Sequence, residues 1–280
     1  MNLIGTTLVG KDARPCGLCG EVRKPTRSHV PPQAAGNTTK VRRAADILDE
    51  KRVRRPGRSR EGGMWVRGLC EECNNRAGRK YDLPYADFAH AVLRFLRMTN
   101  SGLWTPTAVP AVRVAPGLVA RSVLSGMFAI HPRLRIIFPE LAHDLSAGRA
   151  LLRWRDRVQL RLALTGGHGC VLSSGVFMAR VLGPTAGRHH FTFSEIVFPP
   201  FAWALVPTDT GAQVSASWAD ASEWVRYGPD RTNVDLRNLT RVLPWWTHPR
   251  LAAGGHDDWV ELHGEKGTDA EAVILLGTLR

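Results

Sequence analysis

Cys16-Gly17-Leu18-Cys19, Ser28-His29-Val30-Pro31-Pro32 and Gly68-Leu69-Cys70-Glu71-Glu72-Cys73-Asn74 decide how the first third of this chain is read. Four of its five cysteines stand here, as two CxxC pairs. A CxxC bends into a turn that points both thiolates the same way, and two such pairs can close one tetrahedral metal site. A site of four thiolates has no open coordination position, so its ion staples a fold and does not react. Free or redox-active thiols are the competing reading of the same residues. Gly17 and Gly20 suit a tight knuckle. Cys16, Cys19, Cys70 and Cys73 are therefore the expected ligands of one structural Zn2+.

Composition sets the frame around this stretch. At 280 residues, 44% hydrophobic and 22% charged, the chain has the make-up of an ordinary globular protein and can bury a core without disulfides. The formal net charge is +13 and the pI about 10.4, which favours a polyanionic partner, most simply nucleic acid. The surplus is uneven: residues 1–82 carry a net +9 and the remainder +4. No window holds about 18 uninterrupted apolar residues, so no membrane span is expected. The N-terminus has no signal-peptide pattern, and a reducing cytoplasm is the expected compartment. There, paired cysteines are metal ligands more often than disulfides.

Periodicity then divides the chain. Residues 1–15 read as a weakly structured leader. Residues 35–64 read as an insertion, with an amphipathic helix over 41–55 followed by a flexible basic loop. Residues 64–69 fit a strand and 70–80 a helix that Asp82-Leu83-Pro84 ends. Helices are expected over 85–98, 118–130 and 133–148. Strands are expected over 151–164, 170–182, 191–197 and 201–206, with shorter elements at 222–227 and 234–243 and an apolar run at 272–276. The expected fold class is α+β: a small metal-stapled module over 1–83, then a mixed α+β domain over 84–280 with N-terminal helices and mainly antiparallel strands.

Two residues beside the cysteines carry chemistry. His29 stands between the pairs, just before a double proline. A structural or surface histidine is the plainer reading of it alone. Asn74 directly follows the last cysteine at a helix start, where a capping amide is the plainer reading. Brought together, a neutral imidazole and an amide oxygen can support metal-assisted hydrolysis. The imidazole takes a proton from water, and the amide helps hold a divalent ion.

This arrangement of CxxC, His-Val-Pro and Gly-Leu-CxxC-Asn resembles the HNH, or ββα-metal, endonucleases. Within them it is most similar to the zinc-stapled branch typified by the phage endonuclease VII family. The resemblance covers about residues 14–82. It implies Cys16, Cys19, Cys70 and Cys73 as zinc ligands, His29 as general base, Asn74 as ligand of a catalytic Mg2+ or Mn2+, and Gly68 and Gly78 as fitting neighbours. One position departs. The family usually places Asp or another metal ligand before the general base, and here that residue is Ser28. A neutral hydroxyl is a poor Mg2+ ligand. Either Asn74, water and substrate phosphate hold the ion, or Asp46, Asp49, Glu50 or Asp82 supplies the charge, or the site has lost its activity.

The resemblance implies a metal-dependent endonuclease that hydrolyses phosphodiester bonds, in DNA first, with restriction or anti-phage defence as the setting by analogy. Arg42, Arg43, Lys51, Arg52, Arg54, Arg55, Arg58 and Arg60 of the insertion are expected to track phosphates beside the site. A solvated basic loop is their plainer reading. The competing functions are an inactive zinc module that binds nucleic acid and a zinc-scaffolded adaptor for another protein.

Other features carry less. The Gly-Gly-His-Gly around His168 lacks a P-loop ending and reads as a turn. His189 and His190, adjacent on a strand, face opposite sides and do not share an ion. Cys170 reads as a buried core thiol. Trp203, Trp218, Trp224, Trp245, Trp246 and Trp259 read mainly as core.

Overall fold

Ser28 and His29 are followed by a proline pair that disfavours helix, and the chain there is extended. They form β3 (Ser28–His29), preceded by the hairpin strands β1 (Arg14–Pro15) and β2 (Val22–Arg23). Then come β4 (Val41–Asp46), β5 (Arg54–Arg55), β6 (Ser59–Arg60) and β7 (Trp65–Val66). β3 pairs antiparallel with β7, setting His29 opposite Trp65 and Ser28 opposite Val66. A long helix, Glu71–Asn100, follows at once. Strand, strand and helix thus enclose the cysteines. The computed structural model describes residues 12–46, 54–55, 59–100, 112–166, 169–180, 189–208, 218–229, 234–235, 243–246, 259–263 and 274–279.

The long helix opens on Glu71 and Glu72, whose charges suit a helix N-terminus. It does not end at Asp82-Leu83-Pro84. Pro84 lies inside it, and 70–80 and 85–98 are one element rather than two. A proline there removes the hydrogen bond to the Lys80 carbonyl, at a cost of about 3 kcal/mol. Burial offsets that cost: Tyr81, Tyr85, Phe88, Val92 and Phe95 are all buried, and Phe88 stacks on Phe201 with ring centroids 4.5 Å apart. The expected boundary near residue 83 therefore falls within continuous helix.

The rest is helices on one face of an antiparallel sheet, the α+β arrangement expected. β8 (Arg113–Val114) precedes a central helix, Pro116–Ile130, and two short helices, Leu134–Ile137 and Pro139–Ala147, that replace the single one expected over 133–148. β10 (Gly169–Arg180), β11 (His189–Phe198) and β12 (Phe201–Pro207) form a meander, and β9 (Val158–Leu164) pairs on the far side of β12 and is itself flanked by β13 (Ala219–Asp220). A helix, Ser222–Arg226, then β14 (Val234–Asp235), β15 (Trp259–His263) and β16 (Ile274–Leu279) complete the chain.

The sheet has ten strands, ordered β13-β9-β12-β11-β10-β16-β4-β5, with β15 also on β10 and β6 also on β4. The expected helix over 41–55 is thus not formed. Its start is β4, which pairs with β16 from Val41 opposite Leu279 to Asp46 opposite Ile274. Pairing with a distant apolar strand overrides the local helical period. Nor is 54–63 a simple loop, since β5 and β6 both pair with β4. Arginine-rich edge strands of this kind resist further strand addition.

One hydrophobic core runs through these parts. It joins Cys16, Leu18, Val30 and Leu69 near the knuckles to Phe128 and Ile130 of the central helix and to Ile196 and Leu205 of the sheet. Among the described residues no helix is long and apolar enough to cross a membrane.

Candidate metal centre and adjoining cleft

The first knuckle is closed by two backbone hydrogen bonds, Cys16 N–H to Glu21 O and Gly20 N–H to Cys16 O, both 3.0 Å. Gly20 has φ +79, a left-handed turn that glycine adopts without strain. The second knuckle is tied to the first by Gly17 N–H to Gly68 O at 2.9 Å and by Cys70 N–H to the Cys16 sulfur at 3.3 Å. These bonds bring all four Sγ atoms of Cys16, Cys19, Cys70 and Cys73 within 4.8 Å of one another.

Cys19 Sγ and Cys70 Sγ are 3.8 Å apart. That is far beyond a disulfide bond of about 2.05 Å. It matches the edge of a tetrahedron with Zn–S bonds of about 2.3 Å, which is about 3.8 Å. The cluster can hold one metal ion such as zinc. Without a cation, a hydrogen bond from Cys73 draws the Cys16 thiol down to about 4, against its burial. Burial pushes Cys19 up to about 11, and the bond to Cys16 holds Cys73 strongly protonated. One thiolate shared among thiols is the arrangement that a cation, by displacing the remaining protons, converts into a ligand set.

Beside the cluster lies a cleft of about 440 Å³. Ser28, His29 and Pro31 line it from the β3 side, Asn74, Gly78 and Asp82 from the long helix, and Ser122, Ser125 and Gly126 from the central helix. His29 and Asn74, read together from the sequence, thus share one cavity. His29 is half-buried, and its Nε2 lies 3.0 Å from the Gly62 carbonyl. A carbonyl can only accept, so Nε2 carries the proton and Nδ1 is the basic nitrogen. Asn74 Nδ2 donates to the Arg27 carbonyl at 3.0 Å. Its donor end is committed there, and Oδ1 is the end suited to a cation.

Of the four carboxylates offered by sequence, Asp82 is the one lining the cleft. The side chains of Asp46, Asp49 and Glu50 lie outside the described residues. Burial raises the Asp82 carboxyl to about 6, with a hydrogen bond from Ser122 opposing the rise. The Oγ atoms of Ser28 and Ser125 are buried with no hydrogen-bond partner among the described residues.

Asn37 had no sequence signal. It is fully buried, and its Nδ2 donates to the carbonyls of Pro31 at 2.6 Å and Met64 at 2.7 Å. Its Oδ1 accepts from Met64 N–H at 2.6 Å. One side chain thereby stitches the segment after His29 to the strand it pairs with. Only the bare dipeptide Gly36-Asn37 could have hinted at a turn amide.

Five of the arginines expected to track phosphates fall on described strands. Arg42 and Arg43 lie on β4, Arg54 and Arg55 on β5, and Arg60 on β6, so their backbones gather at one end of the sheet. Their side chains are outside the described residues, as are Lys51, Arg52 and Arg58 altogether. At the cleft itself, Arg27 and Arg79 are exposed lining residues, and Arg27 stacks over Trp65 at 4.7 Å from the ring centre. Sequence reading had not singled out either. Cys170 is buried, its thiol pushed up to about 12 by that burial. Trp203 and Trp218 are core, whereas Trp245 is 54% exposed. His168 lies outside the described residues. Comparison with protein-family models, curated proteins and solved structures finds no match to this chain.

Proposed function

We propose that the chain is a metal-dependent endonuclease of the HNH kind, hydrolysing phosphodiester bonds, with DNA as the first substrate to test. The observation that carries this is the shared cleft: His29 and Asn74, from a strand and a helix far apart in sequence, line one cavity next to the four-cysteine cluster.

In this reading the cysteine cluster holds zinc and keeps strand and helix in register. The nucleophile is water. Its proton passes to His29, its oxygen bonds to phosphorus, and the bond from phosphorus to the leaving sugar oxygen breaks, that oxygen taking a proton from solvent. A divalent ion such as Mg2+ or Mn2+, when bound, would supply charge for the phosphate oxygens. Asn74 Oδ1 fits it as a ligand, and Ser28 fits it poorly. Arg27 and Arg79 at the mouth suit a phosphate backbone, and the arginines of β4 to β6 extend the basic surface.

The test is cleavage of plasmid DNA, and of RNA in parallel, with Mg2+ or Mn2+, alongside His29→Ala. Cutting that vanishes in the variant supports the enzyme, and equal cutting by both refutes it. Ser28 favours a second reading, an inactive module that binds nucleic acid. That reading gains if neither protein cuts while DNA binding persists and falls steeply with salt.

A further inference from the structure

The catalytic reading lacks one component: a negative charge to hold the divalent ion. Ser28 stands where a carboxylate is wanted, and Asn74 alone is a neutral ligand. The cleft contains the missing group. Asn74, Gly78 and Asp82 follow one another at four-residue spacing, which puts them on one face of the long helix. All three line the cleft. Asp82 does not point away from Asn74. Its Oδ2 lies 3.4 Å from where a Cβ on Gly78 would sit, so the carboxylate reaches back along the helix toward the cysteine end.

Gly78 is what leaves that face open. Any side chain there would fill the space between carboxylate and amide. With none, the Asp82 carboxylate is open toward Asn74, whose backbone lies eight residues, about 12 Å, back along the helix axis. Mg2+ keeps several waters when protein-bound and accepts a mixture of direct and water-mediated ligands. A span of this length suits one ion bound directly by Asp82 and reaching Asn74 through its water shell. The hydroxyls of Ser28 and Ser125, buried and without a hydrogen-bond partner among the described residues, line the same cavity. Hydroxyls of this kind serve as acceptors for ion-bound water better than as direct ligands. Ser122, also on the cleft wall, donates to Asp82 and fixes the carboxylate.

We infer that Asp82 is the anionic ligand of a divalent-cation site in this cleft, shared with Asn74 across Gly78, and that it replaces the carboxylate absent at position 28. The inference deepens the endonuclease reading and rests on it for the role of the ion, but the cation site can be tested by itself.

The probe is Mn2+ alone, titrated into the full chain with its zinc retained and followed by the electron-spin resonance of free Mn2+. Asp82→Asn keeps the shape and the Ser122 contact but removes the charge. It is expected to weaken Mn2+ binding at least about tenfold, since even outer partners of metal ligands cost 10- to 100-fold. Adding Ser28→Asp to Asp82→Asn is expected to restore much of the affinity, because it returns a carboxylate to the same cavity. A double variant that still binds poorly would count against a shared site. Unchanged Mn2+ affinity in Asp82→Asn, with zinc content and circular dichroism intact, overturns the inference. The two readings also fail separately. If the wild type cuts DNA and Asp82→Asn cuts equally well, the endonuclease stands and Asp82 is not its ligand. If nothing cuts but Mn2+ binding still depends on Asp82, the cation site stands and the endonuclease does not.

Discussion

Asn74 donates from its side chain to the backbone carbonyl of Arg27 at 3.0 Å, joining the first turn of the long helix to the strand that leads into Ser28 and His29. The bond is exposed, so its own contribution to stability is small, about 1 kcal/mol. Asn74→Ala is therefore expected to unfold within about 1 kcal/mol of wild type in urea, while DNA cleavage falls by two orders of magnitude or more. A loss of activity no larger than the loss of stability would reduce Asn74 to a helix cap.

The cysteine cluster should behave as a staple. Elemental analysis is expected to give about one zinc per chain. The Cys70 sulfur lies 3.8 Å from that of Cys19 in the other knuckle, so Cys70→Ser removes a ligand that would join the two. Because metal binding of this kind is coupled to folding, the expected result is loss of zinc together with loss of amide protection over β3, β7 and the first turns of the long helix. A Cys70→Ser protein that keeps its zinc and its protection would show that these sulfurs are ordinary buried thiols.

What the sequence makes legible here depends on the range of the interactions. The cysteine cluster was legible because CxxC is local, and its two halves needed only to meet. His29 and Asn74 stood out because each lies close to such a mark, and both line the one cleft. The four central strands were legible from their apolar runs. The insertion was not: Val41, Ala44, Ala45 and Leu48 have a helical period, yet 41–46 is a strand because β16 lies far along the chain and pairs with it. Pro84 misled for a related reason. A proline that ends a helix in isolation is tolerated where Tyr85 and Phe88 bury against the sheet. Asn37, Ser122 and Ser125 gave no signal at all, since their roles depend entirely on what the fold packs beside them.

Gly68 looks like part of a metal-knuckle motif, but its requirement is packing. A Cβ there would run into the carbonyl of Ala129 on the central helix, and one on Gly17 would meet the carbonyl of Phe128. Both knuckles thus press on the same helix end through glycine. Backbone cannot yield as a side chain can, so Gly68→Ala is expected to cost at least about 2 kcal/mol by urea denaturation. Gly36→Ala is the contrasting control: no atom crowds that position, and only its φ of +91 is unfavourable, at about 1 kcal/mol. Equal costs would mean that the close approach to Ala129 is unimportant.

Asn37→Ala removes three hydrogen bonds at a fully buried position; the Met64 N–H and the Pro31 carbonyl lose their Asn37 partner, while the Met64 carbonyl keeps the Val30 N–H at 3.2 Å. Unsatisfied buried groups are what make such losses large, and about 2–4 kcal/mol is expected. The effect should reach function through His29, because Asn37 anchors Pro31, two residues on, to the strand opposite. Cleavage measured well below the unfolding midpoint should therefore fall as well. Full activity in a folded Asn37→Ala protein would separate the stitch from the site.

Asp82 gives a pH dependence whose sign is fixed by burial. Its carboxyl is raised to about 6 in the folded chain, against an ordinary 3.8. The folded state therefore holds the proton more tightly than the unfolded state, and the resulting stability is fully present below 3.8 and is lost as pH rises through 6. With chelator present to remove divalent ions, Asp82→Asn should be more stable than wild type at pH 8, by about 2 kcal/mol after allowance for partial exposure. The gap should narrow toward pH 5, where the wild-type carboxyl regains its proton. Adding Mn2+ at pH 8 should close it from the other side, because an ion bound only by the folded wild type stabilises it by mass action. Urea midpoints at pH 5 and 8, with and without Mn2+, read all three effects. A gap that widens toward pH 5 would mean the carboxylate is held by a favourable partner and not penalised by burial.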